Sequence, residues 1–241
     1  VFVNGKPVGR HIGGYSAFVF DVTEHVRFDA ANTVAVKVDN SLVNDIPPLD
    51  ADFNMHGGIY RDVWIIAAND AHIKVTDMAS SGIIIRTPAV SNESATVTIS
   101  GTVVNTAKAS RRFEAVSSIV DAEGRVAATA RSSVNVPGGS ENTFAHDSIR
   151  ISRPKLWSPD SPYLYSVRTV IRENGKDIDE VTEPLGFRWF RFDPVEGFFL
   201  NGKPLKLRGT NRHQDHKGYG NAVPDELHVR DLEIIKETGF N

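Results

Sequence analysis

Thr96-Val97-Thr98-Ile99-Ser100-Gly101-Thr102-Val103 sets Val97, Ile99 and Val103 on one side of an extended segment and Thr96, Thr98 and Thr102 on the other. A half-buried strand needs this period of two, because successive side chains leave opposite faces of the pleat. The same texture runs outward in both directions. Phe113 to Val120 and Arg125 to Ser132 flank Asp121-Ala122-Glu123-Gly124, a spacing that predicts a hairpin. Tyr163, Tyr165, Val167, Thr169 and Ile171 alternate with Leu164, Ser166, Arg168 and Val170. Asn174-Gly175 then turns the chain, since both residues reach positive φ cheaply, and a strand near Ile178 to Val181 returns. Asn-Gly-Lys-Pro occurs at Asn4 to Pro7 and at Asn201 to Pro204, each time after a Phe-containing apolar strand. The match is too short for an internal repeat, so both copies read as hairpin turns. Up to about residue 208 the chain reads as almost all β.

The texture changes once. Leu205-Lys206-Leu207 reads as a short strand leading into the polar loop Gly209-Thr210-Asn211-Arg212-His213-Gln214-Asp215-His216, with Gly218 and Gly220 beyond it. A helix is predicted over roughly Glu226 to Thr238, with Asp225 as N-cap, Leu227, Leu232, Ile234 and Ile235 on its apolar side and Gly239 as its stop. Strand, loop and helix make one β/α unit. Such a strand needs neighbours on both sides, so the sequence is expected to be cut at both ends.

Composition narrows the function classes. Across 241 residues, 27 Lys and Arg face 30 Asp and Glu, a net charge of −3. No long run of one sign is present, which excludes a mainly electrostatic nucleic-acid binder. With 40% hydrophobic residues there is material for cores, but no apolar stretch approaches a membrane span. The absence of cysteine excludes disulfides, thiolate zinc sites, iron–sulfur clusters and thiol nucleophiles. Val1 to Pro7 read as a strand entering a turn, with no initiator Met or signal core, so the chain is expected to begin inside a domain. Periplasm and cytoplasm both remain open.

Two clusters bear chemistry. Asp50-Ala51-Asp52-Phe53-Asn54-Met55-His56-Gly57-Gly58-Ile59-Tyr60-Arg61-Asp62-Val63-Trp64 is an acidic loop whose Gly-Gly opens a strand. It reads as a solvated turn, as a set of acceptors for sugar hydroxyls, or as part of a hard-cation site. For the last, two carboxylates fall short of the oxygens calcium prefers. In Asn211-Arg212-His213-Gln214-Asp215-His216, the H-x-x-H spacing is a weak metal signal without a third ligand. A polar loop past a strand end is where barrel enzymes carry their sites, so substrate contact competes evenly with a structural role. Leu156-Trp157-Ser158-Pro159 with Tyr163 reads as a core plug rather than a sugar-stacking platform, and Gly186 to Phe192 as a packed interdomain strand.

Taken in order, Asp52-Phe53-Asn54, Gly57-Gly58-Ile59-Tyr60-Arg61-Asp62-Val63, Leu156-Trp157-Ser158-Pro159, Pro162-Tyr163-Leu164-Tyr165, Gly186-Phe187-Arg188 and Gly197-Phe198-Phe199-Leu200-Asn201-Gly202-Lys203 through Arg208 to Asp215 resemble glycoside hydrolase family 2, the β-galactosidases, β-glucuronidases and β-mannosidases. The resemblance implies a mostly β fold. Residues 1–69 would be the C-terminal part of a sugar-binding jelly roll, 70–187 an immunoglobulin-like β-sandwich, and 188–241 the lead-in and first β/α unit of a (β/α)8 TIM barrel. It also implies a retaining exo-glycosidase acting on a β-galactoside or related oligosaccharide. The acid/base and nucleophile Glu are expected beyond Asn241, so no catalytic residue is assigned. The carry-over is to substrate binding: Asp50, Asp52, Asn211 and His213. No cofactor and no metal ligand are assigned, a divalent or sodium ion of the parent enzyme having no assignable ligands here. Homo-oligomerisation stays open. The alternative is a non-catalytic carbohydrate-binding or spacer β-sandwich module.

Overall fold

The computed structural model describes residues 1–47, 55–75 and 79–241. They fall into two compact units. One holds the described residues of Val1–Ile65, Asp77–Ala79 and Arg208–Asn241, the other those of Ile66–Thr76 and Ser80–Leu207.

In the first unit, β1 (Phe2–Val3) pairs antiparallel with β2 (Lys6–Pro7) and with β3 (Val34–Ala35). The turn between β1 and β2 is made by Asn4 (φ 51°) and Gly5 (φ 79°), the left-handed pair a two-residue hairpin loop demands. Asn4 also extends the ladder: its N–H donates to Thr33 O at 2.9 Å and its Oδ1 accepts from Thr33 N at 3.1 Å.

The second unit is a sandwich of antiparallel sheets. It is built from β4 (Ala71–Ile73), β5 (Ile83–Val90), β6 (Ser94–Asn105), β7 (Arg111–Val120), β8 (Val126–Val136), β9 (Ser140–Ser152), β10 (Tyr165–Glu173) and β11 (Lys176–Leu185). In one sheet β6 is flanked by β9 on one side and by β5 and β4 in line on the other; the second sheet runs β11-β10-β7-β8. This is the immunoglobulin-like pairing expected from the sequence. Along β6 every second side chain is buried, with Ala95, Val97, Ile99 and Val103 facing inward. Asn174 (φ 50°) and Gly175 (φ 79°) turn β10 into β11 as expected. In β9 the alternation breaks once: Phe144 and His146 face inward, then Ile149 and Ile151, because Ser148 adopts φ 58° and the register shifts opposite Val97 and Ile99. One extra residue of this kind restores the inward face after a bend. Apolar clusters fill both ends of the space between the sheets. The Ser117 and Thr169 hydroxyls, both fully buried, satisfy each other at 2.8 Å.

Trp157 N donates to Phe187 O at 2.8 Å, Leu156 and Tyr163 pack on the core, and the Arg188 guanidinium lies 4.9 Å over the Trp157 ring. A core plug therefore describes this segment better than a stacking platform. The interdomain strand expected over Gly186 to Phe192 is only half met. Phe187 is fully buried, whereas Phe190 and Phe192 are 58% and 71% exposed. They belong to a separate hairpin of β12 (Phe190–Asp193), β13 (Gly197–Leu200) and β14 (Lys203–Pro204), where they gather with Phe198 on one face. Asn201 (φ 51°) and Gly202 (φ 77°) repeat the turn of Asn4 and Gly5. Asn201 donates to Trp189 O at 2.9 Å and accepts from Trp189 N at 3.1 Å, as Asn4 does with Thr33. The recurring tetrapeptide is thus one local device used twice.

Helix α1 spans Asp225–Glu237. Asp225 is not the N-cap: Pro224 holds that place at φ −62° and ψ 150°, and no side chain caps the end. Proline supplies the extended conformation a cap needs, which moves Asp225 and Glu226 into the first turn, where their charge suits the positive end of the helix. The C-terminus closes as expected. Gly239 (φ 96°) donates to Lys236 O and Phe240 to Ile235 O, the paired bonds of a Schellman motif. The apolar side of α1 is only partly packed: Leu227 and Ile235 are half-buried, whereas Leu232 and Ile234 are exposed. Two expected strands are likewise missing. Leu205-Lys206-Leu207 forms no strand, although Leu205 N donates to Phe198 O, and the run after Gly58 forms none either and leaves Val63, Trp64, Ile65 and Ile66 exposed. An apolar run becomes a strand only where a neighbour offers a ladder of backbone groups.

His146 carries a pH prediction. Its ring is 4% exposed beside Phe144, and Nε2 has no hydrogen-bond partner. Burial depresses its pKa below the ordinary histidine value, against a smaller opposing pull from Asp147. A buried neutral imidazole stabilises the fold fully above about pH 6.5, and that share is lost as pH falls through the unfolded-state value, by up to about 1.4 kcal/mol per pH unit. We expect the melting temperature to fall between pH 7.5 and pH 5.5 by several degrees more in the natural chain than in His146→Leu. Equal slopes in the two proteins would show that His146 is uncoupled.

Candidate functional site

The loop from Arg208 to Asp215 connects the hairpin to α1 along the chain, and its polarity has a structural cause. Arg212 sends its Nε–H to Asp231 Oδ2 on α1 at 2.8 Å, with a second N–H of the same guanidinium on that oxygen. This pins the middle of the loop to the helix. Thr210, Asn211, Arg212, His213 and Gln214 line a shallow concavity of about 310 Å³. Asn211 and His213, two of the four substrate-binding candidates, therefore stand in one place. Asp50 and Asp52, the other two, lie outside the described residues.

The loop continues into a tight turn. His216 and Gly220 exchange backbone hydrogen bonds at 3.0 Å in both directions, and Tyr219 N also donates to His216 O. His216 Nδ1 lies 3.1 Å from Lys217 O and its ring contacts Tyr219. That places His216 in turn-making contacts, and among the described residues no group of three His, Asp or Glu gathers as metal ligands would. No metal ligand is assigned.

The segment C-terminal to the acidic loop touches the turn C-terminal to the polar loop. Arg61 Nη1 donates to Asn221 O at 2.8 Å across 160 residues of sequence, while its guanidinium lies 5.0 Å from the Tyr60 ring. The His56 ring sits against Gly220 (φ 57°), where a Cβ would stand 3.1 Å from His56 Cε1. A Cβ at Gly57 would come within 2.9 Å of the Asn40 side chain. Both glycines admit close approach. Asn221 is buried, its carbonyl taken by Arg61. Arg61 and Arg212 both stand within the sequence clusters, yet sequence alone assigns neither a role, and nothing periodic announces a contact 160 positions away.

Chemically, the described loop offers an imidazole and an amide able to exchange hydrogen bonds with hydroxyls. It does not offer paired carboxylates. Asp215 is exposed, and Glu226 is held in the first turn of α1.

The architecture is thus an immunoglobulin-like sandwich followed along the chain by a short hairpin, a polar loop and a helix. Sequence comparison assigns the class. The model of glycosyl hydrolases family 2 matches residues 71–188, and that of the family's TIM barrel domain matches 194–241. The chain belongs to glycoside hydrolase family 2. It is 37% identical to a β-glucuronidase of Bacteroides fragilis, over all of this chain and 34% of that protein. It is 36% identical to a β-galactosidase of Thermoanaerobacter pseudethanolicus, over all of this chain and 31% of that one. Among solved structures, a Bacteroides uniformis β-glucuronidase 2 bound covalently to cyclophellitol-6-carboxylate aziridine superposes with a TM-score of 0.95 at 43% identity, covering all of this chain and 29% of the other. The chain spans about a third of the length of these curated relatives. Among the described residues no helix is long and apolar enough to cross a membrane.

Proposed function

We propose that this chain is the glycone-gripping and scaffolding portion of a retaining exo-β-glycosidase that removes terminal β-galactosyl or related β-glycosyl residues, β-glucuronyl among them. The observation that carries the reading is the placement of Asn211 and His213 side by side on the polar loop that precedes α1. Residues 1–69 serve as jelly-roll remnant, 70–187 as sandwich and 188–241 as the beginning of the barrel. The names of the relatives, β-glucuronidase and β-galactosidase, support the substrate class. Asn211 and His213 hydrogen-bond sugar hydroxyls, and Asp50 and Asp52 reach the same glycone as charged acceptors. Each neutral bond contributes roughly 0.5 to 1.5 kcal/mol and charged ones more. In a retaining reaction one carboxylic acid protonates the leaving oxygen and a second carboxylate attacks the anomeric carbon, the two carboxyl groups standing about 5 to 5.5 Å apart. Those glutamates belong to the remainder of the parent protein. The sandwich is a spacer: the face of Trp157 that could stack on a sugar is taken by Arg188.

Incubating the parent protein with nitrophenyl β-galactoside, β-glucuronide and β-mannoside tests this. We expect turnover of the galactoside or the glucuronide at a rate typical of intact glycosidases. Failure on all three refutes the enzyme reading, and a glycan titration of 1–241 whose signal vanishes in Trp157→Ala supports a binding module instead.

A further inference from the structure

The tripeptide Asn-Gly-Lys occurs three times, at Asn4-Gly5-Lys6, Asn174-Gly175-Lys176 and Asn201-Gly202-Lys203. Each occurrence makes a hairpin turn with nearly the same φ values: 51° and 79° at Asn4 and Gly5, 50° and 79° at Asn174 and Gly175, 51° and 77° at Asn201 and Gly202. Local sequence and turn geometry are therefore matched, and what differs is how each asparagine side chain is held. We infer that Asn174 is a site of spontaneous deamidation in the folded protein, with water as the only co-reactant, and that Asn4 and Asn201 are protected from the same reaction.

Asparagine before glycine is the vulnerable pair, because no Cβ on the following residue hinders its backbone nitrogen. That nitrogen attacks the asparagine Cγ and gives up its proton to solvent base. The Cγ–Nδ2 bond breaks, and ammonia leaves after taking up a proton. Water then opens the cyclic succinimide at either carbonyl, leaving aspartate or, with the main chain rerouted through the side chain, isoaspartate. The attack needs Cγ to swing onto the glycine nitrogen, an approach that a side-chain amide bonded through both its oxygen and its nitrogen makes only after those bonds break.

Two of the three amides are bonded in this way. Asn4 Nδ2 donates to His25 O and to Asn32 Oδ1, each at 2.8 Å, while its Oδ1 accepts from Arg27 Nη2 at 2.9 Å and from Thr33 N at 3.1 Å. Asn201 Nδ2 donates to Trp157 O at 3.0 Å, and its Oδ1 accepts from Trp189 N at 3.1 Å. Both residues are half-buried. Asn174, at the tip of the β10–β11 hairpin, is exposed, and among the described residues its side-chain amide has no hydrogen-bond partner. Exposed loop tips are also where chains open most readily. Isoaspartate at 174 would add a methylene to the main chain of a turn that closes Glu173 onto Lys176.

Storing the folded parent protein at mildly alkaline pH, with site-resolved peptide mass spectrometry at intervals, tests this. We expect conversion at Asn174 to run at least about tenfold faster than at Asn4 or Asn201, and both aspartate and isoaspartate to appear at position 174. In the same protein unfolded in urea, where the side-chain bonds are gone, the three rates should agree within about threefold. Equal rates at the three sites in the folded protein, or a faster rate at Asn4 or Asn201, overturn the inference. So does a spread in urea as wide as in the folded state, which would place the cause outside the side-chain bonds, and so does aspartate without isoaspartate, which would mean direct hydrolysis rather than attack by the glycine nitrogen.

Discussion

Replacing Phe187 with alanine is expected to lower the melting temperature of the sandwich by about 10 to 20 °C. Phe187 is fully buried, meets Tyr165 edge-to-face at 5.0 Å between ring centres, and lies in the cluster with Val97, Ile119, Val167 and Leu185. Removing a buried phenyl ring costs about 3 to 5 kcal/mol, from lost transfer energy and an unfilled cavity, and each kcal/mol moves the midpoint of a unit this size by a few degrees. The cavity cannot collapse easily. The backbone of Phe187 is fixed by Trp157 N on its carbonyl and by the bridge to Leu156. Phe192→Ala is the control: the same residue type, five positions on, is 71% exposed and should shift the midpoint by no more than about 2 °C. Comparable losses in the two variants, read by calorimetry, would mean that the hairpin face of β12 is buried in solution and that Phe187 does not anchor the core.

That pair of phenylalanines also marks where sequence reading succeeds. Period-two patterning locates β6, β7, β10 and β11 because each of these strands finds a neighbouring strand to pair with and turns one face to the core, and Asn-Gly turns carry their own φ requirement. The same patterning in Leu205-Lys206-Leu207 and in Val63-Trp64-Ile65-Ile66 promises strands that do not form, since pattern records what a segment could bury and not whether a neighbour is there to pair with it. Gly186 to Phe192 is uniform in sequence but divided in structure, because the turn at Asn201 binds Trp189 on both backbone groups and separates the buried half from the hairpin. At the site, Asn211 and His213 are legible from their place between an apolar segment and a helix. Arg61 is not. Its partner is a backbone carbonyl, which leaves no trace in side-chain identity, and the one sequence hint of a close approach is Gly220 itself.

His213→Ala in the parent enzyme should lower kcat/KM about 10- to 100-fold on whichever nitrophenyl glycoside the natural enzyme cleaves, with little change in melting temperature. His213 is exposed at the concavity and belongs to neither apolar core cluster, so its truncation opens no cavity. The loss falls on recognition. An imidazole facing sugar hydroxyls can accept from one and donate to another, and removing it forfeits both bonds, worth about 1 to 3 kcal/mol together. Each 1.4 kcal/mol is a factor of about ten. If the bond is made equally in ground and transition states, KM rises and kcat holds; if it strengthens as the ring flattens, kcat falls as well. His216→Ala provides the internal comparison. It lies three residues on, outside the residues that line the concavity, and its ring meets Lys217 O and Tyr219, so its loss should cost no more than about threefold. Should the two variants behave alike, the loop's chemistry is distributed over the turn and His213 has no separate grip on the glycone. If His213→Ala stays within twofold of the natural enzyme, the assignment of this loop to the sugar is wrong.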